Sequence, residues 1–125
     1  MLKSPCDFGT YQPGTRSAEC LPAGLGHYVD LTGQTNHIAC PVGTWQNQTQ
    51  QSVCLDAEWG HYANETGQVN QTACLKGFYN PNNGSILASD CGPADRGHYV
   101  NETGRHNQTE CAIGTLQNQT GQAEC

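Results

Sequence analysis

Large aliphatic side chains are scarce in this chain: Leu, Ile, Val and Phe together supply 18 of 125 residues. At about 14% they fall below the rough 20% at which a chain begins to look disordered, which excludes a hydrophobic core as the main support. No stretch of 18 apolar residues is present to span a bilayer. Met1-Leu2-Lys3-Ser4-Pro5 lacks the apolar centre of a signal peptide, so an exporting signal is expected to have been removed or to lie outside this sequence. Five Lys and Arg stand against eleven Asp and Glu, for a net charge of −6, and no basic run is available to neutralise phosphates. Nucleic acid is therefore not an expected partner. Helical periodicity is missing from every window of eleven residues, and Gly, Pro, Asn and Thr recur too often for a helix to propagate. Ser-His-Asp order, HExxH and P-loop patterns are missing too. Repeats with so little core have nowhere to bury a reacting group, so no enzymatic activity is expected.

What the chain has is cysteine on a ruler. The intervals between Cys6, Cys20, Cys40, Cys54, Cys74, Cys91, Cys111 and Cys125 run 14, 20, 14, 20, 17, 20 and 14 along the sequence. The unit is 34 residues, stretched once to 37 by a three-residue insertion before Cys91. Residues 1–39 form the first repeat, 40–73 the second, 74–110 the third with the insertion, and 111–125 half of a fourth. Such periods mean stacked supersecondary units. Zinc sites bring ligands in close pairs, whereas even the nearest cysteines here, such as Cys6 and Cys20, stand far apart in sequence, so no metal is expected on them. Disulfides are the alternative, and each loop of about 15 residues that one closes adds roughly 3 kcal/mol through the unfolded state. An even cysteine count in a short Gly-, Asn- and Thr-rich sequence points to an oxidising compartment, secreted or at the cell surface.

The ruler allows two neighbour-to-neighbour pairings. Either the short halves close, as Cys6–Cys20, Cys40–Cys54, Cys74–Cys91 and Cys111–Cys125, or the long halves close and leave Cys6 and Cys125 for bonds between subunits. The first is preferred because it leaves no orphan thiol and places the insertion inside a closed loop, where added length costs little. Short and long halves share one form: a cysteine, a glycine, an aromatic two residues after the glycine, then a polar turn. The short halves carry Gly9, Gly43, Gly77 and Gly114 followed by Tyr11, Trp45, Tyr79 and, as a substitute, Leu116. The long halves repeat Gly-His-Tyr at 26–28, 60–62 and 97–99, followed by Thr-Gly at 32–33, 66–67 and 103–104. This pattern predicts a small disulfide-rich fold, mostly coil with short antiparallel β-hairpins, built as an elongated rod of tandem repeats with essentially no helix. The repeated Tyr and Trp are expected to fill the interior of each unit.

The short half, as in Cys40-Pro41-Val42-Gly43-Thr44-Trp45-Gln46 through Gln50-Gln51-Ser52-Val53-Cys54, resembles the C-x-x-G-T-Y…G-Q-x-x-C element of tumour-necrosis-factor-receptor-like and ephrin-receptor-like (GCC2/GCC3) cysteine-rich repeats. The likeness covers the four short halves, just under half of the chain. It implies pairing of the two cysteines of the element with each other, and an elongated stack of small modules. The long halves lack the extra cysteines that brace the next module in those receptors.

Asparagine carries the second signal. N-x-S/T sequons begin at Asn47, Asn64, Asn70, Asn83, Asn101, Asn107 and Asn118, against about 1.4 expected by chance from the composition. Counted from the preceding cysteine, Asn64 and Asn101 both stand at +10, Asn70 and Asn107 at +16, and Asn47 and Asn118 at +7, so the sequons belong to the repeat. A chain reversal at Thr66-Gly67 and at Thr103-Gly104 would place them symmetrically about each turn. The first repeat departs: Asp30 replaces Asn64, Asn36-His37-Ile38 lacks the hydroxyl, and Pro13 replaces Asn47. Little N-glycan is expected there.

His27, His61 and His98 share one repeat position, which as a metal ladder would need second ligands that the sequence does not supply; a polar neighbour to the packed tyrosine is the expected role. Asp56, Glu58, Asp90 and Asp95 lie near loop starts and are of the type that could help hold calcium, the one cofactor alternative left open, although the D-x-D-x-D spacing of a calcium loop is missing. No cofactor is expected beyond covalent N-glycans. The array ends at Cys125 without a polar capping unit, so the chain is expected to be a piece of a longer one or to meet neighbouring subunits through open ends. The leading expectation is an extracellular N-glycosylated structural repeat protein that self-associates end to end as a fibril, stalk, appendage or coat. The alternative is a receptor or adhesion ectodomain fragment with a protein ligand.

Overall fold

The computed structural model describes residues 5–14 and 19–125. Among them are twelve two-residue strands: β1 (Thr10–Tyr11), β2 (Leu21–Pro22), β3 (His27–Tyr28), β4 (Ile38–Ala39), β5 (Thr44–Trp45), β6 (Leu55–Asp56), β7 (His61–Tyr62), β8 (Thr72–Ala73), β9 (Phe78–Tyr79), β10 (Gly92–Pro93), β11 (His98–Tyr99) and β12 (Thr109–Glu110). They form six two-stranded sheets, and a single 3-10 turn at Ala88–Asp90 is the one helical element described. The fold is small, disulfide-rich, mostly coil and built of short antiparallel hairpins, as the sequence predicts. Thr, Phe, Tyr and Trp favour the pleated conformation, while a strand of an isolated pair is always an edge, so Pro22 and Pro93 forfeit no ladder bond.

Hairpins recur at half the period that the cysteines mark. Their first strands begin at residues 10, 27, 44, 61 and 78, then at 98 after the insertion. The chain divides into two compact units, one comprising Met1–Leu55 with Glu65–Asn70, the other Asp56–Asn64 with Gln71–Cys125. In the first unit, successive hairpins are tied by backbone bonds: Gly9 N–H donates to Val29 O (2.8 Å), Gly26 N–H to Gln46 O (2.8 Å) and Gln46 N–H to Gln68 O (3.0 Å). In the second, Gly60 N–H donates to Asn80 O (2.8 Å), Gly77 N–H to Val100 O (2.8 Å) and Gly97 N–H to Gln117 O (2.8 Å). Strand length is thus no measure of order, because the ties between hairpins also satisfy backbone groups.

The glycines permit this closeness. A Cβ on Gly26, at φ +75°, would lie 2.2 Å from Gly67 O, and one on Gly60, at φ +81°, 2.2 Å from Gly104 O. Both a left-handed backbone and direct chain-to-chain packing require the missing side chain. Gln50 alone among the described non-glycine residues has positive φ (61°), at a position filled by glycine in neighbouring hairpins, Gly33 and Gly67.

The interior corrects one expectation. Buried apolar positions are Cys6, Ala23, Val29, Cys40, Ala57, Ala63, Cys74, Cys91, Ala94 and Val100. Tyr11, Tyr28, Trp45, Tyr62, Tyr79 and Tyr99 are only half-buried, and Leu116 is exposed outside any strand. Backbones that approach within hydrogen-bonding distance leave room for methyl-sized groups, which pushes each ring to the margin of its hairpin. Two interior positions are amides. Gln46 donates from Nε2 to Val53 O (2.9 Å) and accepts at Oε1 from Gln48 N–H (3.1 Å), bracing its loop from inside.

Four disulfides join Cys6–Cys20, Cys40–Cys54, Cys74–Cys91 and Cys111–Cys125. The intervening hairpins have none, yet they close in the same place. Ala23, Ala57 and Ala94 occupy the register of the first cysteine, and His37, Gln71 and Gln108 that of the second. Gly24 N–H donates to His37 Nδ1 (3.1 Å), Glu58 N–H to Gln71 Oε1 (2.7 Å) and Asp95 N–H to Gln108 Oε1 (2.7 Å). Covalent and hydrogen-bonded clasps therefore alternate along the chain.

The His37 clasp differs in kind, because its acceptor nitrogen titrates. His37 stacks on His27 with ring centroids 4.0 Å apart and packs against Tyr11 at 4.8 Å. Burial, then the neighbouring His27, lowers its pKa below the usual 6.5. The unfolded chain accordingly takes up a proton that the folded chain resists, so stability present above pH 6.5 declines as pH falls below it. Denaturant midpoints compared on either side of pH 6.5 are expected to show this loss, and His37→Gln, which copies the clasps of Gln71 and Gln108, to diminish it.

Candidate glycan-bearing surface

All seven sequon asparagines are exposed. Their positions follow from the hairpin registers. Tyr99 pairs with Thr109, so Asn101 and Asn107 stand two residues inside the same pair, on opposite arms of the turn. Asn64 and Asn70 have the same offsets from the Tyr62–Thr72 pair. Gly67 and Gly104, at φ +71° and +70°, turn the chain between them.

The clasp residues belong to this surface. Gln71 and Gln108 are the middle residues of Asn70-Gln71-Thr72 and Asn107-Gln108-Thr109. Each amide reaches back across its hairpin; Gln71 Nε2 also donates to Glu58 Oε2 (3.3 Å), and Gln108 Nε2 to Asp95 Oδ2 (2.9 Å). The middle residue is thus tied across the hairpin, while the asparagine before it is exposed. Asn47 and Asn118 follow the brace glutamines Gln46 and Gln117; Gln117 Nε2 donates to Glu124 O (2.8 Å), as Gln46 does to Val53 O. Sequence reasoning missed these clasps and braces, since alanine and glutamine carry no signature of their own. The available sign was a spacing from Ala57 to Gln71, and from Ala94 to Gln108, equal to that of Cys40 to Cys54.

The histidine row is structural in its geometry. His27, His61 and His98 open β3, β7 and β11, and each Nδ1–H donates to a carbonyl two residues back: Leu25 O at 2.9 Å, Trp59 O at 3.0 Å and Arg96 O at 3.1 Å. Carbonyl oxygen only accepts, which assigns the proton to Nδ1. A Cβ on Gly104 would sit 3.2 Å from the His61 ring, so that ring packs on the turn of a neighbouring hairpin. Asp90 Oδ2 accepts from Ile86 N–H (3.2 Å) and Leu87 N–H (3.1 Å), while Glu58 and Asp95 receive the glutamine amides above. Asp56 lies on β6. Among the described residues, no three His, Cys, Asp or Glu side chains converge to hold a metal ion. No helix there is long and apolar enough to cross a membrane.

No family model and no curated protein matches the chain. Its chemistry is accordingly read from its own surface, where exposed asparagines recur in register with the hairpins.

Proposed function

We propose that this chain is an extracellular, N-glycosylated structural repeat protein, a building block of a glycan-coated fibril, stalk, surface appendage or coat. Register carries the reading: sequon asparagines recur at fixed offsets from paired strands, and in two of these sequons the middle residue clasps the opposite arm of the hairpin. Bulky hydrated sugars so spaced would keep a chain with almost no core soluble and protease-resistant. Four disulfides support an oxidising location.

The way hairpins join supports self-association as part of this reading. The ties use backbone groups that recur in each hairpin, so a hairpin of another copy offers the same donors and acceptors. A head-to-tail contact of this sort generates filaments when its rotation does not close a ring. The chain secreted from a glycosylating host is expected to appear by electron cryo-microscopy as filaments with sugar density at the sequons. Monomers at high concentration, carrying unmodified asparagines, would overturn the proposal.

One observation favours a second reading, a receptor-like ectodomain with a protein ligand. Opposite the hairpin tyrosine, the sequon hairpins carry Thr72 and Thr109, whereas β2 and β4 carry exposed Leu21 and Ile38. The first repeat thus has apolar side chains where sugar is not expected, as a protein contact would need. In neither reading is the chain an enzyme.

A further inference from the structure

The seven sequons share a motif without sharing an environment. Thr49, Thr66, Thr72, Thr103, Thr109 and Thr120 lie on the outside of the chain, none of them buried. Ser85, the hydroxyl residue of Asn83-Gly84-Ser85, is 8% exposed. Its Oγ accepts a hydrogen bond from Nδ2 of fully buried Asn80 at 2.8 Å. Backbone groups nearby are also engaged: Gly84 N–H donates to Ala57 O (2.7 Å), and Ser85 O accepts from Ala63 N–H (3.0 Å). Gly84 is held at φ +70°, and the whole motif lies inside the loop closed by Cys74–Cys91.

The hydroxyl is part of what makes a sequon an acceptor, because a transferring enzyme must reach it together with the amide. At Asn83 the amide is exposed while the hydroxyl points into the protein and is already hydrogen-bonded. We propose that Asn83 accepts glycan only before the Cys74–Cys91 loop folds and is closed to it afterwards, whereas the other six sequons stay open in the folded chain. The inference rests on the glycosylation reading above. In the transfer, the Asn83 amide nitrogen attacks the anomeric carbon of an oligosaccharide carried on a lipid pyrophosphate. The nitrogen–carbon bond forms, the carbon–oxygen bond to pyrophosphate breaks, the amide gives up one proton, and the lipid pyrophosphate departs. No electrons are exchanged with an oxidant, so oxidation enters only through loop closure.

Site-resolved glycopeptide mass spectrometry of the secreted chain, synthesised with and without a mild thiol reductant, tests this. Without reductant, Asn83 occupancy is expected at least about tenfold below the mean of the other six, because exposure of Ser85 needs local unfolding. With reductant it is expected to rise toward theirs. Occupancy at Asn83 equal to that at Asn118 without reductant would overturn the expected order, loop closure ahead of transfer, while leaving the glycosylation reading intact, and modification of the purified chain then decides whether the folded loop is closed to transfer. Seven empty sites would instead overturn the glycosylation reading. A second measurement then decides the inference: the purified unmodified chain, either oxidised or reduced and alkylated, is given a transferase and a lipid-linked donor. Modification of Asn83 in the reduced chain alone supports it, and equal modification of both forms overturns it.

Discussion

Replacing Cys40 and Cys54 together by alanine is expected to destabilise the chain by roughly 3 kcal/mol, the unfolded-state term for a loop of about 15 residues. Against a typical total of about 5–15 kcal/mol, this is a large fraction. Cys40 is fully buried, so alanine leaves a small packing defect but no stranded polar atom. The alternation of clasps supplies a sharper comparison. Cys40→Ala with Cys54→Gln copies the arrangement at Ala57 and Gln71, where a backbone N–H meets a glutamine oxygen at 2.7 Å. That variant is expected to recover about 1 kcal/mol of the loss, the net worth of an ordinary hydrogen bond. Guanidinium unfolding midpoints of the three chains measure both numbers. Equal stability of the two variants would show that the glutamine clasp contributes nothing where it is found.

Gly60→Ala is expected to be at least as damaging, at about 4 kcal/mol or more. Two costs combine: a left-handed conformation that alanine adopts only at about 1–2 kcal/mol, and a Cβ placed 2.2 Å from Gly104 O and 2.5 Å from its carbonyl carbon. Gly97→Ala separates them. Gly97 has nearly the same φ, +79° against +81°, with nothing within 4 Å of the added carbon, so it carries the conformational cost alone. Its loss is expected to stay near about 1–2 kcal/mol, and the difference between the variants measures the packing of one hairpin on another. Similar midpoints for both would mean that the hairpins part readily at Gly60.

The cysteine spacing made the hairpin architecture legible before any coordinates, because a disulfide loop of fixed length admits few conformations. The Gly-His-Tyr triplets likewise marked β3, β7 and β11, since an aromatic after glycine predicts a strand leaving a turn. The half-period was visible in the glycine and aromatic that short and long halves share, but the closing register of the long halves was not. Ala23, Ala57 and Ala94 sit where cysteine sits in the neighbouring hairpins, and alanine is too common to announce a register. The interior was misread for a related reason: aromatic residues usually dominate cores, but backbones tied as closely as Gly26 and Gly67 leave no space for a ring. Exposure of the sequon asparagines was foreseeable, whereas the burial of Ser85 was not, because it depends on Asn80 reaching five residues along the chain.

Alternating clasps also give the chain a graded response to pulling. A loop closed by Cys40–Cys54 or Cys111–Cys125 cannot lengthen without breaking a covalent bond. The loops held by Gln71 and Gln108 open on the rupture of hydrogen bonds, and each spans a sequence separation of 13 residues. Every such opening would release roughly 45 Å of contour, at about 3.5 Å per extended residue. Under tension the material would yield in equal steps at every second hairpin, while the cystine loops between them kept their form and served as templates for recoil.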